Sequence, residues 1–235
     1  DKGLKKKEKS ADLKLRIEYG KKHEQEYFKI LYKKHKKHIT IDPNQPTAKK
    51  YENTVKAIKN GYDLIYKAYL LHENFGGEID FLIKNKSKSE LGDYSYEVYD
   101  TKVTKTLRPN HVLQTTGYSY LLSKVQGLMP KKMHLVDGTQ LINSFNVKEF
   151  FDYFLFTKNN FENFLSTVLK EKMYPEKCSF CNICDWQDVC AEKWDKDNYI
   201  NQVCGIRSSQ ITKLKKENIS TIQKLAKTDP KKIKS

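Results

Sequence analysis

Two strand-like runs, Tyr62–Leu71 and Glu78–Lys84, follow one another across Asn74, Gly76 and Gly77, and such a hairpin leaves few folds open. Two strands rich in apolar and aromatic residues need further strands beside them and a layer above them, since an isolated hairpin is marginal in water. The rest of the chain offers both. A polar loop, Asn85–Asp93, leads to a third run, Tyr94–Val103, then to a helical stretch Leu107–Val125. Two short strands follow, Lys132–Val136 and Leu141–Val147, before a long amphipathic helix over Phe150–Lys172. Upstream, Ala11 to about Lys36 reads as a helix with Leu13, Ile17, Phe28 and Leu31 among its apolar positions. A short strand over Lys37–Asp42 stops at Pro43, and Thr47 is placed to cap a helix that ends near Asn60 and Gly61. This order predicts an α/β fold, a mixed sheet flanked by helices.

Charge narrows the partners. The 44 Lys+Arg against 29 Asp+Glu give a net charge of +15, which points to a polyanion and first to nucleic acid. Only Arg16, Arg108 and Arg207 of the basic residues are Arg. Lys suits phosphate as a point charge, whereas Arg reads base edges, so the composition favours contact independent of sequence. No apolar run exceeds about four residues, far short of a membrane span. The first ten residues carry charge without an apolar stretch behind them, so no signal peptide is expected and a cytoplasmic setting is. A start at Asp within a Lys run suggests a piece of a longer polypeptide with further domains.

Chemistry gathers around two of the strands. Gly77-Glu78-Ile79-Asp80 lies in one, and Asp100-Thr101-Lys102 closes another. If these strands are neighbours, Asp80 and Asp100 converge at the sheet edge with Lys102 beside them. Two carboxylates so placed repel unless a cation joins them, and Mg²⁺ or Mn²⁺ with hard oxygen ligands answers that need. Such an ion polarises a phosphoryl oxygen and acidifies water, and a nearby Lys orients water or stabilises developing charge. Taken alone the pattern is weak, because an acid followed two residues later by Lys is common in a chain this rich in Lys. Its flanks add weight. Gly20-Lys-Lys-His23-Glu24 precedes it on the first helix, and Gln114 and Tyr118, spaced i and i+4, share a face of a later helix.

In that order (helix His, G-x-x-D, D-x-K, Q-x-x-x-Y) the motifs resemble those of the RecB-like PD-(D/E)XK nucleases, over roughly residues 15–225. The resemblance implies a restriction-endonuclease-like core with His23, Asp80 and Asp100 as metal ligands and the Thr101 carbonyl as a further one. It makes Lys102 the catalytic lysine, and gives Gln114 and Tyr118 the task of shaping the site and touching DNA. Glu24 and Glu97 would be accessories. The other histidines, His35, His38, His72, His111 and His134, show no partner pattern and read as structural.

From Tyr174 the texture changes. Cys178-x2-Cys181-x2-Cys184-x5-Cys190 packs four cysteines into thirteen residues, a metal-site spacing that fits Zn²⁺ or an iron–sulfur cluster. Several RecB-like nucleases carry a [4Fe–4S] staple with three C-terminal cysteines and one far upstream. Cys181, Cys184 and Cys190, with Trp186 between them, resemble that trio. No Cys precedes Cys178, so the fourth ligand is either Cys178 itself or lies in a missing N-terminal segment. The cluster would clamp the tail and take no part in hydrolysis. Beyond it, Val203, Ile206, Ile211, Leu214, Ile219 and Leu225 are spaced for two short helices. That tail resembles a helix–hairpin–helix unit, which holds DNA phosphates through backbone amides; a small packing appendage is the alternative. Asn218 stands where the second hairpin usually has Gly and tolerates positive φ, and Cys204 reads as a core residue.

The expected organisation is a nuclease core over 1–173, a cysteine-rich segment over 174–200 and a helix–hairpin–helix-like tail over 201–235. The expected activity is metal-dependent phosphodiester hydrolysis, most simply by a DNA exonuclease within a larger repair or helicase-nuclease protein. The rivals are a catalytically silent DNA-binding module and a nuclease acting on RNA.

Overall fold

The computed structural model describes Gly3, residues 5–168 and residues 173–232. It divides into two compact units: Arg16–Thr167, and the described residues of Asp1–Leu15 together with those of Val168–Ser235.

The first unit is built on a six-stranded mixed sheet in the order β1-β2-β3-β4-β5-β6. β1 (His38–Thr40) runs parallel to β2 (Leu64–His72), and α2 (Thr47–Lys59) makes the crossover that a parallel pair requires. β3 (Phe75–Asn85) and β4 (Ser95–Thr101) continue antiparallel. α3 (Pro109–Gln126) then carries the chain to β5 (Lys132–Val136), parallel to β4, and β6 (Ile142–Asn146) closes the edge antiparallel. α1 (Ala11–Lys34) precedes the sheet and α4 (Val147–Val168) follows it. The α/β mixed sheet flanked by helices that the element order predicted is therefore present. Residues 169–172, assigned above to the last helix, lie outside the described residues. α2 begins at Thr47 behind Pro46 and has no side-chain cap, because Thr47 is already the first helical residue.

Side chains alternate across a strand, and the two faces of this sheet bury different sets. Ile65, Leu82, Tyr96 and Val98 pack with Ala57 and Ile58 of α2 and Leu121 and Leu122 of α3. Leu64, Phe81 and Val136 pack with Tyr27 and Leu31 of α1. One place breaks the alternation. Ile65 and Ala68 join the same core although three residues apart, and so do Leu82 and Ile79. Both strands change phase together while keeping register, Tyr66 opposite Phe81 and Ala68 opposite Ile79. The residues left between are Lys67 and Asp80. Lys67 takes a left-handed backbone, φ 58°.

In the second unit Trp194, Tyr199, Ile200, Ile211, Leu214 and Ile219 form the core, with Cys181 and Cys190 packed against it. They come from α5 (Gln187–Lys196), α6 (Ser208–Lys216) and the loops around them, with α7 (Ile222–Lys227) behind. The N-terminal segment belongs here. Lys7 N–H donates to the Asp185 carbonyl at 2.7 Å, and its ammonium reaches Asp188 at 2.9 Å. Gly205 and Asn218 both adopt positive φ, 74° and 61°, before and after α6, and Asn218 accepts that conformation as expected. Cys204, expected in the core, is exposed, because it sits on the loop before α6 and not on a buried helix face. No described helix is long and apolar enough to cross a membrane.

Candidate active site

The site forms where two strands part. The β3–β4 ladder ends at Phe81 opposite Tyr99, and one more step in that register would bring Asp80 opposite Asp100. The Asp80 carboxylate takes the place of a ladder acceptor: its Oδ2 accepts from Thr101 N–H at 2.8 Å and from Thr101 Oγ1 at 2.7 Å. Those two bonds fix its rotamer and leave Oδ1 facing Lys67. Asp100 is 3% exposed. Burial, with the negative charge of Asp80 added, pushes its carboxyl up to about 7 despite Lys102.

Lys102 Nζ lies 2.5 Å from Asp100 Oδ2 and donates to Gln114 Oε1 at 2.9 Å. Gln114 Nε2 in turn donates to Tyr118 Oη at 2.7 Å. A single line of contacts therefore joins Asp100, Lys102, Gln114 and Tyr118, and the i, i+4 spacing on α3 makes its last link. Burial, and then Asp100, Asp80 and Glu78, push the Tyr118 phenol up to about 12, so it stays a neutral donor. The glycine of Gly77-Glu78-Ile79-Asp80 has a steric cause. A Cβ there would stand 2.6 Å from Tyr118 Cε1, so the ring lies where only a glycine leaves space.

Lys67 is a member that sequence reasoning missed. Its Nζ lies 2.7 Å from Glu24 Oε1 and 3.5 Å from both Glu78 Oε1 and Asp80 Oδ1. Burial works against its charge, but Asp80, Glu24 and Glu78 together hold its pKa above the ordinary lysine range. Burial and Asp80 conversely raise the Glu24 carboxyl. The available signal was one lysine inside the otherwise apolar run Leu64–Leu71. His23, beside Glu24 on α1, is buried, and its Nε2 makes no hydrogen bond. Glu97 is not brought to this point. It meets His134 Nε2 at 3.1 Å and Lys132 N–H at 3.3 Å on β5.

Among the described residues no group of three or more His, Cys, Asp or Glu side chains is arranged to hold a metal ion as it stands. Lys67 and Lys102 supply the positive charge among the carboxylates. The donor chemistry still suits a hard divalent ion: the Asp80 carboxylate beside the buried Asp100 carboxyl, and a buried imidazole nitrogen without a partner. In the second unit Cys178 and Cys181 sulfurs are 3.9 Å apart. Cys178 N–H and Trp186 N–H point at Cys181 and Cys184 sulfurs, at 3.2 and 3.4 Å. Burial and then Cys184, Cys181 and Cys178 push the Cys190 thiol up, so the four sulfurs feel one another. Compared with protein-family models and with curated proteins, the chain matches none.

Proposed function

We propose that Arg16–Thr167 is a metal-dependent nuclease core of the RecB-like PD-(D/E)XK kind with a restriction-endonuclease-like fold, hydrolysing phosphodiester bonds in DNA. The reading is carried by one observation: Asp80, Asp100, Lys102, Gln114 and Tyr118, scattered over three elements, meet in one connected arrangement where β3 and β4 part. In this reading Asp80, Asp100 and His23, with the Thr101 carbonyl, would hold Mg²⁺ or Mn²⁺. A bound ion of this kind would polarise a phosphoryl oxygen and acidify water.

The chain's own groups have distinct parts. Thr101 keeps Asp80 in one rotamer. Asp100 and Gln114 hold the Lys102 ammonium from two sides, so it can orient water or meet the charge that develops on the phosphoryl group. Tyr118 fixes Gln114 and, as a neutral phenol, can donate toward the nucleic acid backbone. In the second unit the four cysteines suit a [4Fe–4S] cluster, or Zn²⁺ as the alternative, since N–H donors already face two of the sulfurs. The α6–α7 hairpin suits phosphate contact. A cavity of ≈ 590 Å³ at the start of α6 is lined by Asn201, Gly205, Ser208 and Lys215, and the buried Asn201 amide has no partner in the protein.

The test is cleavage of labelled single- and double-stranded DNA, and of RNA, with Mg²⁺, Mn²⁺ or chelator. Metal-dependent DNA cleavage, lost in Asp100→Ala and Lys102→Ala while DNA affinity persists, supports the reading. Wild-type rates in both variants overturn it, and binding without any cleavage assigns the chain to a silent DNA-binding module.

A further inference from the structure

α4 keeps its inward-facing pattern beyond the place where it has a core to meet. Phe154, Lys158, Phe161 and Leu165 recur at the helical repeat and share one face. Phe154 is buried against Phe75, whereas Phe161 is 59% exposed and Leu165 42%. In front of that face lies a groove of ≈ 450 Å³, within the range of about 300–1,000 Å³ that small-ligand clefts occupy. Its walls are the second half of α4, the first half of α3 and the β2–β3 turn. Two of its rings are seated by packing: a Cβ on Gly117 of α3 would stand 2.9 Å from Phe154 and 3.1 Å from Phe75.

Two features say what fits there. The groove is not apolar throughout: Asn74, Asn110 and Gln114 also line it, and the Asn74 and Asn110 side chains hydrogen-bond to no described residue. Rings for a flat face and free amides for a donor–acceptor edge suit a nucleobase, whereas an apolar protein segment needs only the rings. The groove also runs into the candidate active site. Gln114, which accepts from Lys102 at 2.9 Å, and Tyr118, which holds Gln114 at 2.7 Å, both line it. Exposed Lys105 and Arg108, on the segment entering α3, add positive charge for a strand's phosphates. We infer that this groove is a nucleobase site: it takes one unpaired base of the strand whose phosphate meets Lys102, stacked on the Phe161 ring. The inference deepens the nuclease reading and rests on it for where the strand lies. Every base has a π face, so the site holds any base, in keeping with a lysine-rich surface that reads no sequence. A base inside a duplex is stacked and paired, and reaches such a site only by leaving the stack.

The test is binding of the full chain to oligothymidylate and to a wholly abasic strand of the same length, read by fluorescence anisotropy with divalent ions chelated so that nothing is cut. The two probes carry the same phosphates and differ only in their bases. Wild type should bind oligothymidylate about ten-fold more tightly than the abasic strand. Phe161→Ala should bind both alike, at the wild-type affinity for the abasic strand, and Phe161→Tyr should keep the preference. No preference in wild type, an undiminished one in Phe161→Ala, or its loss in Phe161→Tyr overturns the inference. Native circular dichroism in Phe161→Ala is expected of an exposed position, and an unfolded variant, showing a ring that the core needs, overturns it too. So does self-association of wild type through this face, seen in sedimentation as a concentration-dependent mass that Phe161→Ala abolishes. The two readings fail separately: cleavage by a wild type whose base preference ignores Phe161 sinks the base site alone. A Phe161-dependent preference in a protein that cleaves nothing sinks the nuclease reading alone.

Discussion

Gly77→Ala places a methyl group 2.6 Å from Tyr118 Cε1 and 3.3 Å from Cδ1, where ordinary contact begins at 3.4 Å. The ring must withdraw by about 0.8 Å to restore ordinary contact. Two opposing effects decide the stability. Losing a glycine reduces the freedom of the unfolded chain and stabilises by about 0.4–1 kcal/mol. Overpacking costs about 1–3 kcal/mol, and the clash wins because it falls on a ring whose hydroxyl is tied to Gln114 and not on a flexible tip. The net expectation is a loss of about 1–2 kcal/mol in urea denaturation. Cleavage should suffer more. Tyr118 holds Gln114, and Gln114 holds Lys102; a displacement approaching 1 Å in a positioned group costs about a hundredfold in rate. Tyr118→Leu removes the obstacle, so the double variant Gly77→Ala with Tyr118→Leu should regain at least about 1 kcal/mol over the sum of the single losses. Wild-type stability and cleavage in Gly77→Ala, or strict additivity in the double variant, would refute the proposition that the glycine exists to seat that ring.

With divalent ions chelated, Asp100 keeps its proton in the folded state up to about 7, whereas the unfolded chain loses it near the ordinary aspartate value of 3.8. The folded state then binds more protons between those values, so stability should fall as pH rises from about 4 to about 7; Asp100→Asn should flatten that fall in pH-dependent melts, and an unchanged slope would contradict it. DNA affinity carried by lysine–phosphate contacts should drop steeply with salt and vary little with sequence, and a flat salt response in fluorescence anisotropy would count against it. Cys184→Ser should make residues 173–232 protease-sensitive while leaving Arg16–Thr167 resistant, since a bound cluster lends its binding energy to folding. Anaerobically purified protein containing neither iron nor zinc, with that segment still resistant, would show that the cysteines bind no metal.

Element order was legible because it follows from local pattern. Lys132–Val136 is a strand at its expected bounds, and the G-x-x-D, D-x-K and Q-x-x-x-Y residues meet because a short antiparallel pair and one crossover helix leave them little choice. Lys67 was not legible, because its importance depends on a phase change shared by two strands, and alternation rules assume none. The hairpin turn holds Asn74 as expected, but not the two glycines, for a related reason. Gly76 and Gly77 look like turn residues, but the chain turns at Glu73 with φ 54°, and Gly77 is in β3 to make room for a side chain forty-one residues later. Nor does any local signal say that Lys7 pairs with Asp185 and Asp188, since the contact spans most of the chain.

That pairing has a kinetic consequence. The second unit draws its parts from opposite ends of the sequence, with the whole of Arg16–Thr167 between them. During synthesis the intervening unit has all its residues outside the ribosome before the last helices exist, so it can condense first. Residues 5–10 must wait as an exposed lysine-rich strip until Asp185, Gln187 and Asp188 arrive. Closing so long a loop is a late and slow event, yet each doubling of loop length adds only about 0.6 kcal/mol to its entropic cost. If the intervening unit folds first and brings the ends nearer, the effective loop shortens, and the order of assembly eases the pairing of Lys7 with Asp185 and Asp188.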